Sequence, residues 1–116
     1  MANPIVNIHP VDVKERLKRG EKLTIIDVRE DEEVATGKIP GAKHIRLNEL
    51  SHRYKEINPD EETIMVCRSG NRSGIACDFL YAMGYRNVKN MMGGMIAWEG
   101  DVEKSIVDTG SHLPQP

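Results

Sequence analysis

The chain has 116 residues, the size of one domain rather than two. Hydrophobic residues make up 39% and charged residues 29%, with a formal net charge of −2, which excludes a disordered polyelectrolyte and a surface that holds nucleic acid by bulk charge. Two cysteines ten residues apart, Cys67 and Cys77, and the scattered His9, His44, His52 and His112 offer neither a disulfide framework nor a metal spacing.

Short apolar runs alternate with amphipathic stretches along the chain. Residues 5–8 read as a short strand. His9-Pro10 then opens a helix, since Pro is tolerated in the first turn. It runs to about residue 19 and stops at Gly20, with Val13 and Leu17 facing one side. Residues 23–28 predict a second strand, rich in β-branched residues. Residues 30–36 predict a short helix whose acidic start, Glu30 to Glu33, matches the helix dipole and is read as solvated. Gly37 ends it, Lys38-Ile39-Pro40-Gly41 forms a turn, and residues 42–45 are a weak third strand. Asn48 is placed to cap a helix to about residue 57, with Leu50, Tyr54 and Ile57 at helical spacing. Asn58-Pro59-Asp60 breaks it.

Residues 63–66 predict a fourth strand, a continuous apolar run of the kind buried parallel strands show. A polar loop over 67–73 leads into a helix from about residue 72 to 83, with Ile75, Phe79, Leu80 and Met83 on one face. Gly84 ends that helix, residues 88–91 are a fifth strand, and Gly93-Gly94 leads into a last helix near 95–98. Strands alternating with helices predict a parallel α/β sheet covered on both faces. The expected organisation is one domain over 5–100 and a tail over 101–116 that frays near 113–116.

The informative segment is the strand-to-helix passage Val66-Cys67-Arg68-Ser69-Gly70-Asn71-Arg72-Ser73. In parallel α/β folds ligands sit at the carboxyl ends of strands, which is where this loop puts Cys67. Loop and helix N–H groups, the helix dipole, and the charges of Arg68 and Arg72 all favour a thiolate there, and the same features suit an anion. Gly70 lets the backbone curl with its N–H groups inward. Ser73 is placed to cap the helix or to touch a substrate. The competing reading is an inert structural cysteine, which the two nearby arginines disfavour.

These residues resemble the rhodanese family over about residues 5–100. Cys67-Arg68-Ser69-Gly70-Asn71-Arg72 resembles its active-site loop, Cys-Arg-x-Gly-x-Arg/Thr. Ile26-Asp27-Val28-Arg29-Glu30 resembles its Asp-x-Arg signature. Residues 37–45 resemble its Gly-His-Ile-Pro-Gly-Ala segment, with Lys38 in place of the usual His. Gly93-Gly94 followed by Ala97-Trp98 resembles its C-terminal Gly-Gly…Trp element. The resemblance implies a rhodanese-like five-stranded parallel sheet flanked by helices on both faces. It implies a sulfurtransferase in which the Cys67 thiolate takes sulfur from a donor such as thiosulfate and holds it as a persulfide over the loop N–H groups. A thiol, cyanide or a thioredoxin-like acceptor then removes it. In the family the pair equivalent to Asp27 and Arg29 ties the loop after the second strand into the fold.

Loop length separates related chemistries: cysteine phosphatases look like Cys-x5-Arg, whereas four residues lie between Cys67 and Arg72. Arg68 and Arg72 are both candidates to meet an anionic donor. A persulfide carrier that serves a protein partner remains the alternative reading, and a phosphatase-like or arsenate-handling protein a weaker one. Cys77 is set aside as a resolving thiol because it falls off the expected apolar helix face. Met91, Met92 and Met95 are read as packing under the loop and Trp98 as an anchor in the core. No metal, cofactor, nucleic-acid or membrane partner is expected. Without a leader-like N-terminus or a run of roughly 20 apolar residues, the expected setting is the reducing cytoplasm.

Overall fold

The computed structural model describes residues 5–104. Strands β1 (Asn7–Ile8), β2 (Thr24–Asp27), β3 (Lys43–His44), β4 (Thr63–Val66) and β5 (Val88–Met91) form one sheet in the order β1-β5-β4-β2-β3. Every neighbouring pair is parallel. The helices between them are α1 (Pro10–Lys18), α2 (Asp31–Ala35), α3 (Leu50–Arg53) and α4 (Asn71–Ala82). The predicted five-stranded α/β architecture is therefore the one observed.

The core divides along the two faces of the sheet, because successive strand side chains point to opposite sides. Ile25, Ile64 and Val66 join Val13, Ile39, Ala42 and Met91 on the α1 side. Ile26, Met65 and Cys67 join Leu50, Ala76, Cys77, Leu80 and Tyr85 on the α3–α4 side. Strand β4 lies in the middle of the sheet and all four of its residues are buried, as its uninterrupted apolar run requires.

Three elements depart from the sequence reading. The helix expected to about residue 57 is a single α-turn, α3, between two 3-10 turns, Leu47–Glu49 and Tyr54–Glu56. Leu47 and Leu50, like Tyr54 and Ile57, are three residues apart, and 3-10 winding brings such pairs onto one face of the core. The last helix is also a 3-10 turn, Gly94–Ala97, and the N–H groups of Met95 and Ile96, which have no acceptor within it, donate to the carbonyls of Cys67 and Arg68.

The third departure is the buried face of α4. Ile75 (58% exposed) and Met83 (44% exposed) face outward, while Ser73, Gly74, Ala76, Cys77 and Leu80 face the sheet. That rotation brings Ser73 to the sheet and leaves the larger side chains outside. Within the expected tail, Glu103 forms an antiparallel bridge with Lys38, and its carboxylate accepts hydrogen bonds from Lys38 Nζ (2.6 Å) and the Gly41 N–H (3.2 Å). The residues expected to fray, 113–116, lie outside the described residues.

Candidate active site

Cys67 is the first residue past β4, where the chain leaves the sheet. Gly70, at φ +105°, turns it back so that α4 starts at Asn71. This left-handed turn aims the loop N–H groups inward, as Gly alone does without strain. The Gly70 N–H donates to Cys67 Sγ at 3.0 Å, and Ser73 Oγ lies 3.2 Å from the same sulfur. Cys67 is only 1% exposed. Burial by itself pushes its thiol up. The Ser73 hydroxyl and the N–H groups of Ser73, Gly70 and Ser69 outweigh that and leave it below its ordinary value.

The two loop arginines have different situations. Arg72 is held by Glu33 of α2 in a two-point ion pair, Nη1 to Oε1 at 2.7 Å and Nη2 to Oε2 at 2.8 Å. The Arg72 guanidinium brings the Glu33 carboxyl down to about 2. Glu33 thus takes part in the site, although the acidic run was expected to be solvated; Asp31 and Glu32 are the members that are exposed. Glu33 also accepts the N–H of Glu30 at 3.0 Å, so one carboxylate joins the start of α2 to the cysteine loop. Arg68 is exposed at the rim of an open hollow of about 390 Å³ that Glu33, Met95 and Ile96 also line. The side chains of Ser69 and Asn71 are exposed. A larger hollow of about 460 Å³, between Lys14, Leu17, Pro40 and Trp98, has no thiol or hydroxyl in its lining.

Behind the loop, Asp27 and Arg29 form a buried ion pair, Nη2 to Oδ2 at 2.8 Å and Nε to Oδ1 at 2.9 Å. Arg29 also donates to the carbonyls of Gly37 (2.7 Å) and Glu33 (3.3 Å), which stitches the segment after β2 to itself. On the other side, the Gly93-Gly94 turn presses against the loop: Met95 N–H donates to the Cys67 carbonyl (2.9 Å) and Ile96 N–H to that of Arg68 (3.0 Å). A Cβ at Gly94 would stand 2.5 Å from the backbone of Arg68 and Cys67. Of the methionines, Met91 is buried, Met95 is partly buried against the core, and Met92 is 38% exposed rather than packed. Trp98 is partly buried against the α1-side core, with its indole N–H on the Asp101 carbonyl at 2.9 Å.

Cys77 is 3% exposed on the inner face of α4, and burial pushes its thiol up to about 12. It is a core residue, and its placement inside the helix face rather than off it corrects the sequence reading. Sequence reasoning passed over Asn90, a buried amide on β5 that reaches both Gly70 and Ser73. The available signal was an amide inside a strand expected to be buried. Among the described residues, no three His, Cys, Asp or Glu side chains cluster as a metal site, and no helix is long and apolar enough to cross a membrane.

The rhodanese-like domain family matches residues 9–101. The Bacillus subtilis (strain 168) protein named "Putative sulfurtransferase YtwF" is 43% identical over 99 residues, covering 85% of this chain and 95% of that protein. A sulfurtransferase of Allochromatium vinosum is 38% identical over 86 residues, covering 74% of this chain and 80% of its own. The crystal structure of a rhodanese-like domain protein from Staphylococcus aureus has a TM-score of 0.81 and 33% identity, covering 87% of this chain and 99% of that one.

Proposed function

The chain belongs to the rhodanese-like domain family, and we propose that it moves sulfane sulfur from an anionic donor, thiosulfate in the first instance, through a persulfide on Cys67. The observation that carries this reading is the set of donors around one sulfur: the Gly70 N–H at 3.0 Å and the Ser73 hydroxyl at 3.2 Å, at the carboxyl end of the central strand. The thiolate they favour is the form that attacks. Its electron pair forms a bond to the outer sulfur of thiosulfate. The sulfur–sulfur bond of the donor breaks and sulfite leaves with that pair. In the second half, a thiolate or cyanide attacks the outer sulfur of the persulfide and Cys67 leaves as thiolate, ready for another cycle. The loop N–H groups face the charge that passes from Sγ to the outer sulfur in the first half and returns to Sγ in the second.

Arg68 is the cation this reading assigns to the donor's oxygens, because Arg72 is already committed to Glu33. Arg72 contributes through its charge, which is close enough to be felt at Cys67. The remaining loop residues, Ser69, Gly70 and Asn71, serve through backbone geometry. The four-residue gap between Cys67 and Arg72 favours sulfur over a phosphoryl group. A reducing compartment such as the cytoplasm, with thiol or thioredoxin-like acceptors, suits a cysteine that must remain unoxidised between cycles.

The test is a mass gain of one sulfur atom on Cys67 after exposure to thiosulfate, with turnover read as thiocyanate formation from cyanide. Cys67→Ser should abolish both and leave the fold intact. Thiocyanate formation retained in Cys67→Ser, or the added sulfur found on Cys77, would overturn the assignment. A stable persulfide without turnover would favour a carrier that delivers to a protein partner.

A further inference from the structure

Asn90 sits in β5 with its side chain buried between three elements. Its Nδ2 donates to the Gly70 carbonyl of the cysteine loop (3.1 Å) and to Oδ1 of Asn7 on β1 (3.3 Å). The Gly70 carbonyl can only accept, which sets the amide's orientation. Asn90 Oδ1 therefore faces Ser73 Oγ, 2.5 Å away, and that same Oγ lies 3.2 Å from Cys67 Sγ.

A serine hydroxyl carries one hydrogen and two lone pairs. Ser73 cannot give its hydrogen to Asn90 and to Cys67 at once. With Cys67 protonated, the S–H donates to Ser73 Oγ and Ser73 donates to Asn90. With Cys67 ionised, its proton has gone to water, Ser73 turns its hydrogen to the sulfur, and Asn90 Oδ1 is left without that donor. We propose that Asn90 is a positioning residue that competes with Cys67 for the single Ser73 hydrogen and so sets how firmly charge is held on the sulfur.

The consequence for turnover rests on the sulfur-transfer reading above. As sulfur loads, charge leaves Sγ and the hydrogen returns to Asn90. As the acceptor removes sulfur, charge comes back to Sγ and the hydrogen follows it. Without Asn90 the hydrogen would have nowhere else to go, and the resting thiolate would be held too tightly to be a good nucleophile.

Other charges around Cys67 are accounted for. Its own loop brings Arg68, α4 brings Arg72, the neutral Cys77 and the exposed Asp78, and α2 brings Glu33 against Arg72. On β2, Asp27 is paired with Arg29; on β5, Lys89 is paired with Glu62. Strand β4 and the Gly94–Ala97 turn carry no titratable side chain.

The test measures the Cys67 pKa in the whole chain, from thiolate absorbance and from the pH dependence of iodoacetamide alkylation. Four proteins are compared: the parent, Asn90→Leu, Ser73→Ala and the double variant. Leucine keeps the branched shape of asparagine, is somewhat larger, and has no polar atom. Asn90→Leu should lower the Cys67 pKa by about half a unit to one unit, the scale of one hydrogen bond. Ser73→Ala should raise it, and Asn90→Leu should have no effect once Ser73 is gone. A rise or no change in Asn90→Leu, or an equal shift in both backgrounds, would overturn the proposal and leave Asn90 as a tie to Gly70 alone. Should Asn90→Leu not fold, Asn90→Ala must give the same sign, and an unshifted pKa in Ser73→Ala is disproof by itself. None of these readings involves sulfur transfer, so failure of the persulfide assay leaves this test standing.

Discussion

Replacing Gly94 with alanine separates two costs that the structure predicts should add. Gly94 has φ +57°, a conformation that costs an L-residue about 1–2 kcal/mol. Its new Cβ would also stand 2.5 Å from the carbonyls of Cys67 and Arg68, and relieving such overlap in a packed interior costs about 1–3 kcal/mol. Gly20→Ala is the control, since Gly20 has φ +85° and no heavy atom within 4 Å of the position a Cβ would take. Gly94→Ala should therefore lose about 2–5 kcal/mol and Gly20→Ala about 1–2. At about 4–8 °C per kcal/mol for a domain near this size, the difference is easily measured. Trp98, the single tryptophan, reports unfolding in urea. The same overlap pushes on the cysteine loop, so Gly94→Ala should slow persulfide formation on Cys67 while Gly20→Ala leaves it unchanged. Equal losses of stability in the two variants, or full Cys67 reactivity in Gly94→Ala, would refute the claim that the Gly-Gly turn buttresses the site.

The Glu33–Arg72 pair makes stability depend on pH with a definite sign. The Glu33 carboxyl is lowered to about 2, so its contribution is complete above the ordinary carboxylate range and is lost as pH falls toward that value. Glu33→Gln should cost about 1 kcal/mol at pH 7, a gap that narrows steadily below about pH 5; a gap independent of pH would count against the pair. The two thiols should respond differently to alkylation, since Cys67 is lowered and Cys77 is pushed up to about 12. At neutral pH iodoacetamide should add a single group, on Cys67, and mass spectrometry showing Cys77 modified first in the folded protein would contradict this. Asp27→Asn removes one member of a buried pair and strands the Arg29 charge, a loss of about 3–5 kcal/mol in urea unfolding; a loss below 1 kcal/mol or so would mean the carbonyls of Gly37 and Glu33 satisfy Arg29 without it.

Much of this arrangement was legible because local signals agreed. The apolar run of Thr63–Val66, followed by Cys67 and a polar turn, reads from the sequence alone as a buried strand ending in a reactive loop. The alternation of strands and helices carried the sheet. What was not legible has a common origin in distance along the chain. Glu33 and Arg72 are 39 positions apart, and nothing in an acidic helix start names the arginine it will meet. Asn90 reaches residues 17 and 20 positions away. On α4, apolar size marks Ile75 and Met83 as inward, whereas the helix turns Ser73, Gly74, Ala76, Cys77 and Leu80 toward the sheet, the side from which the Ser73 hydroxyl reaches the sulfur. Burial preference is an average, and a site that needs short distances departs from it.

The alternation along β4 gives the cysteine a parity. Ile64 and Val66 point to the α1 side, Met65 and Cys67 to the α4 side. The sulfur meets Gly70 and Ser73 because it is an even number of residues from Met65. A single-residue insertion or deletion between them would swing the thiol to the opposite face, into the apolar cluster of Met91 and Val13 and away from Gly70 and Ser73. Such a chain could keep its sheet and most of its apolar contacts and still be inert. The chemistry is thus protected by a count rather than by a contact, and in this strand a change of length is more damaging than a change of residue type.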